Sequence, residues 1–248
     1  MIRALKSIPD EAARLCEGCG YILRGLPDDS RCPECAKPVV ESLPDVRPGP
    51  AWEREAPGLR WRQFFATTWE VVFHPSRFYR ALDTRSSTPA EIAFARVHQG
   101  VAGLLLALTA WLHLCWTWVV VLGRNAKFPL WADLLLVAGA FALAVILLEA
   151  TGRLAGRLTA WEAAYRGLRL PYRAVLRGLH YHCAHYFPVA LFAFVTVGGY
   201  QWALARNWLA APSYEFYLYL LCAEVLAGAA YLFKTYWIGM RNMMYANR

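Results

Sequence analysis

Residues 100–122, GVAGLLLALTAWLHLCWTWVVVL, run without a single Asp, Glu, Lys or Arg. Crossing the roughly 30 Å hydrocarbon layer of a bilayer takes about 20 apolar residues at 1.5 Å each. They must be helical, because lipid offers no partner to an unpaired backbone N–H or C=O. Three further apolar stretches follow at about 128–148, 187–205 and 216–233, interrupted only by Asp133 and Glu224, in a chain that is 58% hydrophobic overall. The expected fold is therefore an all-α transmembrane helical bundle of four spans over residues 98–248. Thr88-Pro89-Ala90-Glu91, with the form of a capping box and proline at the first helical position, predicts where the helix leading into the first span begins.

The chain changes character towards its start. Trp61, Phe64, Phe65, Thr68 and Val72 recur at helical spacing with Arg62, Gln63 and Glu70 opposite. After Pro75, a short apolar face of Phe78, Tyr79 and Leu82 lies among Arg77, Arg80 and Arg85. Residues 59–97 are read as interfacial amphipathic helices, with a soluble helix packed on the N-terminal segment as the open alternative. Residues 41–58, bearing Pro44, Pro48, Pro50 and Pro57 among charges, read as a semi-extended tether.

Residues 1–40 carry Cys16, Cys19, Cys32 and Cys35 as C-x2-C-x12-C-x2-C. Two such pairs on tight turns supply the four soft thiolates of a tetrahedral ion, and a segment this short has too little core to fold unaided. The expectation is a small four-cysteine zinc ribbon whose Zn2+ is structural, iron meeting the same ligand set. Gly20 follows the first pair and suits its turn, while Ala36 holds the matching place after the second. Paired disulfides or a redox site are the competing readings, and both depend on compartment. Met1 to Leu15 holds Arg3, Lys6, Asp10, Glu11 and Arg14 and no apolar core of a signal peptide, which favours a reduced, cytosolic ribbon.

The formal charge of +8 comes mainly from the apolar half, where residues 98–248 hold 12 Lys/Arg against 5 Asp/Glu. Within the ribbon, Arg14, Arg24, Arg31 and Lys37 are offset by Glu17, Asp28, Asp29 and Glu34. No stripe for phosphate contacts forms, so no nucleic acid is expected and a protein partner at the ribbon is. Arg153, Arg157, Arg166, Arg169, Arg173 and Arg177 crowd the segment between the second and third spans. Short loops rich in Lys/Arg stay inside, which puts both termini in the cytosol of a bacterial inner membrane protein. In that segment Leu154, Leu158, Trp161, Tyr165 and Leu168 form an apolar stripe, read as a second surface helix whose arginines face lipid headgroups.

Two ionisable groups lie deep in spans, His113 in the first and Glu224 in the fourth, and a contact between them is allowed if those helices are neighbours. His180-Tyr181-His182-Cys183-Ala184-His185 offers ligand types, but the pairs at helical spacing point in different directions and no single ion collects them. No nucleophile elbow, phosphate loop or zinc-protease signature is present, so no catalytic residues are named and no enzyme is expected.

His74-Pro75-Ser76-Arg77-Phe78-Tyr79-Arg80-Ala81-Leu82 resembles the P-x-x-F-[FY]-x-x-L segment of bacterial Yip1-domain membrane proteins. Arg173 to Ala190, with Tyr181 and Pro188, resembles their later return into the bilayer. Cys16-Glu17-Gly18-Cys19-Gly20-Tyr21, Leu23-Arg24-Gly25-Leu26 and Cys32-Pro33-Glu34-Cys35 are similar to the short zinc ribbon fused to many bacterial membrane proteins. The resemblance implies a non-enzymatic, multi-pass anchor or organiser that docks a partner. The alternative is a small-solute or proton-coupled transporter using His113 and Glu224.

Overall fold

Proline and the apolar run length together set the helix boundaries. In the computed structural model, which describes residues 14–42, 49–54, 60–83, 88–118, 129–166, 168, 170–206, 208 and 214–244, seven α-helices follow the N-terminal ribbon. They are α1 (Arg60–Phe73), α2 (Pro75–Ala81), α3 (Pro89–Trp116), α4 (Leu130–Tyr165), α5 (Tyr172–His182), α6 (Tyr186–Ala205) and α7 (Tyr214–Met243). Four helical runs are long and apolar enough to cross a membrane: α3, α4, the continuous stretch Tyr172–Ala205 that ends in α6, and α7. No strand occurs among the described residues; the ribbon contributes two isolated antiparallel bridges, Leu15 to Ile22 and Arg31 to Pro38.

Several boundaries differ from those expected. The helix leading into the first span starts at Pro89, as the capping box predicts, which takes residues 89–97 out of the expected interfacial set 59–97. Its expected end at Leu122 lies outside the described residues. Thr88 Oγ accepts from the Glu91 N–H, as the capping box requires. The expected second span and the surface helix after it are one helix, α4, whose 36 residues run about 54 Å at 1.5 Å each. No proline lies between Leu148 and Leu154: Glu149, Ala150 and Arg153 favour a helix, Thr151 and the single Gly152 weaken it without stopping it, and a change from apolar to basic composition does not end one. Arg169 lies outside the described residues; Arg153, Arg157, Arg166 and Arg173 are exposed, with Arg166 paired to Glu162 at 2.6 Å.

Contacts group the chain into two compact units. One holds Met1–Phe94, Gly152–His182 and Thr235–Arg248; the other holds Ala95–Thr151 and Cys183–Lys234. In the first, α1 stops because the residue before Pro75 is pushed out of the helical region, and Pro75 then opens α2. Phe64, Thr67 and Val71 turn inward, whereas Trp61, Phe65, Trp69 and Phe73, four residues apart, stay exposed. The face read from sequence merges these two sets, putting Phe64 beside Phe65. An aromatic core of Phe64, Phe78, Phe94 and Tyr181, with ring centroids 5.1 Å apart at each of three contacts, binds α1, α2, the start of α3 and α5. Gly156 brings α4 onto α5: a Cβ there would lie 3.2 Å from the Tyr172 ring. The G-x-x-x-G of Gly152 and Gly156 thus serves packing within the chain, with open space at Gly152.

The expected tether is partly docked. Residues 51–53 form a 3-10 turn, from which the Trp52 indole N–H donates to Ala90 O at 2.6 Å and the Trp52 backbone N–H donates to Thr67 Oγ at 3.0 Å. An aromatic ring in a proline-bearing tract is an anchor, since burying it offsets the entropy of ordering the segment. Glu41 and Ser42, the first residues of the expected tether, close onto the ribbon within another 3-10 turn, Val39–Ser42, with Ser42 Oγ accepting from Glu17 N–H at 3.2 Å.

In the second unit, α3 meets α4 through Gln99 donating to Glu149 at 2.9 Å and Trp111 donating to Asp133 at 3.1 Å. Trp116, Val197, Tyr200 and Tyr217 form its buried cluster.

Candidate metal centre and buried polar sites

Each half of the ribbon is the same local device used twice. Gly20 N–H donates to Cys16 O and Ala36 N–H to Cys32 O, at 2.8 and 2.9 Å. Cys16 N–H then closes on Tyr21 O and Cys32 N–H on Lys37 O, at 2.7 and 2.8 Å. Both turns need a left-handed residue after the second cysteine, supplied by Gly20 at φ 78° and by Ala36 at φ 59°. Glycine takes that conformation freely; alanine adopts it against a steric cost of about 1–2 kcal/mol. The two turns face each other, so all four sulfurs lie within 4.8 Å of one another, with Cys16 to Cys35 at 3.4 Å and Cys19 to Cys32 at 3.6 Å. A tetrahedral site with metal–sulfur bonds of about 2.3 Å has sulfur–sulfur edges of about 3.8 Å, so the cluster is sized for one ion. These separations are far from a bonded S–S distance of about 2.05 Å. All four cysteines are free thiols.

The electrostatics of the four sulfurs differ. Burial pushes the Cys19 thiol up to about 12. The Lys37 amide pulls Cys35 down, but hydrogen bonding with Cys16 and burial outweigh it and leave that thiol raised. Burial acts on Cys32 in the same direction, yet the amides of Cys35 and Glu34 aimed at its sulfur prevail and hold it at about 7. Beneath the sulfurs Leu23 and Val39 form a small core, with Leu26 packed against it.

Arg177 is not a lipid-facing base. It is 1% exposed, and its guanidinium donates to Glu53 at 2.7 Å, to Glu91 through a short contact, and to Asp83 O at 2.7 Å. Tyr181 donates to the same Glu53, Thr88 Oγ donates to it at 3.1 Å, and His180 Nδ1 sits 3.2 Å from Glu91. Arg177 lies among Ala174, Val175, Gly178 and Leu179, all buried, so α5 has no wet face at this position and the arginine has to be neutralised in place. Its partners stand 124 and 86 residues away, one of them in the expected tether. No local pattern exposes such a pairing; the only sequence hint is an acid next to a tryptophan, Glu53 beside Trp52.

The remaining histidines go to separate partners. His182 Nε2 meets Thr235 Oγ at 3.0 Å and His185 Nδ1 meets Tyr231 Oη at 2.8 Å, so the His180–His185 segment holds no metal cluster among the described residues. His113 and Glu224 do not bond each other. His113 Nδ1 instead meets Tyr217 Oη at 2.9 Å with the rings stacked. Both Glu224 oxygens are buried without a formed hydrogen bond among the described residues, Thr196 being the polar neighbour that acts on them. Seven residues, two turns of α7, separate Tyr217 from Glu224, and the tyrosine takes the place at His113 that spacing had left open to the carboxylate.

Comparison with protein-family models, with curated proteins and with solved structures gave no match for this chain.

Proposed function

We propose that this chain is a non-enzymatic, multi-pass integral membrane protein of the bacterial inner membrane. A cytosolic zinc ribbon docks a protein partner beside a Yip1-like anchor. One observation carries the membrane reading: the most apolar eighteen-residue window of α4 has none of its residues buried within the chain. Leu134, Leu135, Leu143, Ile146 and Leu147 all stand exposed on it. A helix so apolar and so bare is stable where lipid covers it. The exposed arginines between the second and third long runs support cytosolic termini, and the matched sulfur tetrahedron supports zinc as a folding ligand for the ribbon.

The test has three readouts on the purified chain and in cells. Zinc is measured by elemental analysis, expected at one ion per chain and lost on Cys16→Ser or Cys32→Ser. Cysteine-accessibility labelling in intact cells is expected to leave both termini unlabelled until the membrane is opened. Crosslinking in cells is expected to capture one partner with the wild-type ribbon and not with the serine variants. A metal-free protein or externally labelled termini overturn the reading.

A second reading, a proton-coupled or small-solute transporter, rests on the buried carboxylate of Glu224, since such groups in apolar helices commonly mark ion paths. Flux through reconstituted vesicles that Glu224→Gln abolishes without loss of assembly would favour it over the anchor.

A further inference from the structure

The C-terminal parts of α4 and α7, both within the first unit, line a shallow cleft open to the surface. Its floor is apolar, with Ala163, Leu170 and Met240 buried, and Met244 flanks it. The hydroxyls of Thr159 and Tyr236 bond each other and so make no demand on an occupant. At the mouth stand Trp237, 52% exposed, and the guanidinium groups of Arg166 and Arg241. Arg166 is held by Glu162, 2.6 Å away. Arg241 is exposed and has no ion pair or hydrogen bond among the described residues.

From this we propose that the cleft binds the phosphate of one anionic phospholipid, Arg241 taking the phosphate oxygens and the apolar floor taking the start of an acyl chain. The proposal rests on the membrane reading above. The net charge of the lining groups is one positive, which Arg241 supplies, and that matches a headgroup with a single anionic phosphate. A planar guanidinium offers parallel donors to two phosphate oxygens, which a point charge does not. Tryptophan favours the depth at which headgroup and acyl chain meet. Methionine side chains adapt to an irregular chain where a branched residue would not. The cleft also lies where apolar helices give way to bases, α4 at Arg153 and Arg157 and α7 at Lys234, the placement at which anionic headgroups gather.

The shared chemistry is a phosphate ester or free phosphate, and the arms of the test separate them. Full-length protein, stripped of lipid in a neutral detergent, is offered phosphatidylglycerol, phosphatidylcholine or inorganic phosphate, and bound lipid is counted by native mass spectrometry. The expected result is retention of phosphatidylglycerol over phosphatidylcholine by about fivefold or more. That preference should be lost in Arg241→Gln, weakened in Trp237→Ala, and kept in Arg157→Gln, whose base is exposed outside the cleft. Millimolar inorganic phosphate should not displace the lipid. Equal retention of the two lipids, a preference untouched by Arg241→Gln, or displacement by phosphate overturns the proposal. Carbonate extraction of the same membranes tests the membrane reading alone, so its failure is told apart from failure of the cleft.

Discussion

Ala36 and Arg177 show how single residues carry strain and charge in this chain. Ala36 sits at φ 59°, where its Cβ crowds the backbone and the matching Gly20 has none. Ala36→Gly should therefore stabilise the ribbon by about 1 kcal/mol, an increase of about fivefold in zinc affinity, read by competition with a chromophoric chelator. Arg177 holds two carboxylates, Glu53 and Glu91, out of water. Replacing it by alanine strands both, and a cost of about 3–5 kcal/mol is expected in thermal unfolding of the detergent-solubilised protein. Arg157→Ala, on an exposed face, should stay within about 0.5 kcal/mol. Equal effects of the two substitutions would refute the buried cluster.

At the scale of an element, α1 divides its aromatic residues between two destinations. Phe64 is 7% exposed and touches Trp52 and Phe94, whereas Phe65 and Trp69 stand 65% and 59% exposed. Phe64→Ala should cost about 3–5 kcal/mol of stability. Phe65→Ser with Trp69→Ser should leave the unfolding temperature nearly unchanged and lower the affinity of the soluble α1 peptide for vesicles, read by tryptophan fluorescence from Trp61. On α4, Leu143→Arg should raise the free energy of insertion by about 3–4 kcal/mol, seen as a smaller inserted fraction in a microsomal glycosylation assay. An unchanged fraction would mean that lipid does not cover that face.

For the molecule as a whole, the zinc ribbon proposed above would tie folding to metal and pH. Zinc takes thiolates, so each thiol that is neutral in the free ribbon must release a proton on binding. Cys19 and Cys35 are raised, so both stay protonated through neutral pH, and Cys32 joins them below about 7. Affinity thus rises with pH. Zinc titration on either side of neutral pH should show that rise, steeper below about 7, where Cys32 also takes up a proton. Chelation at neutral pH should unfold the ribbon while leaving most of the far-ultraviolet helical signal, since the long helices owe nothing to the ion.

Apolar run length made the four long helices legible without any structure, because a hydrocarbon solvent forces one local solution on any such stretch. Two C-x2-C turns likewise announced a four-sulfur site, since each turn is built from hydrogen bonds within six residues. Helix ends were less legible: α4 runs on through Gly152 to Tyr165 because no proline or strong cap stops it, although its composition changes. Beyond sequence altogether lay the pairing of Arg177 with Glu53 and Glu91, the choice of Tyr217 over Glu224 at His113, and the docking of Trp52. Each joins residues far apart in the chain. Partners at such separations are selected by which helix faces pack together, and that is a property of the folded chain.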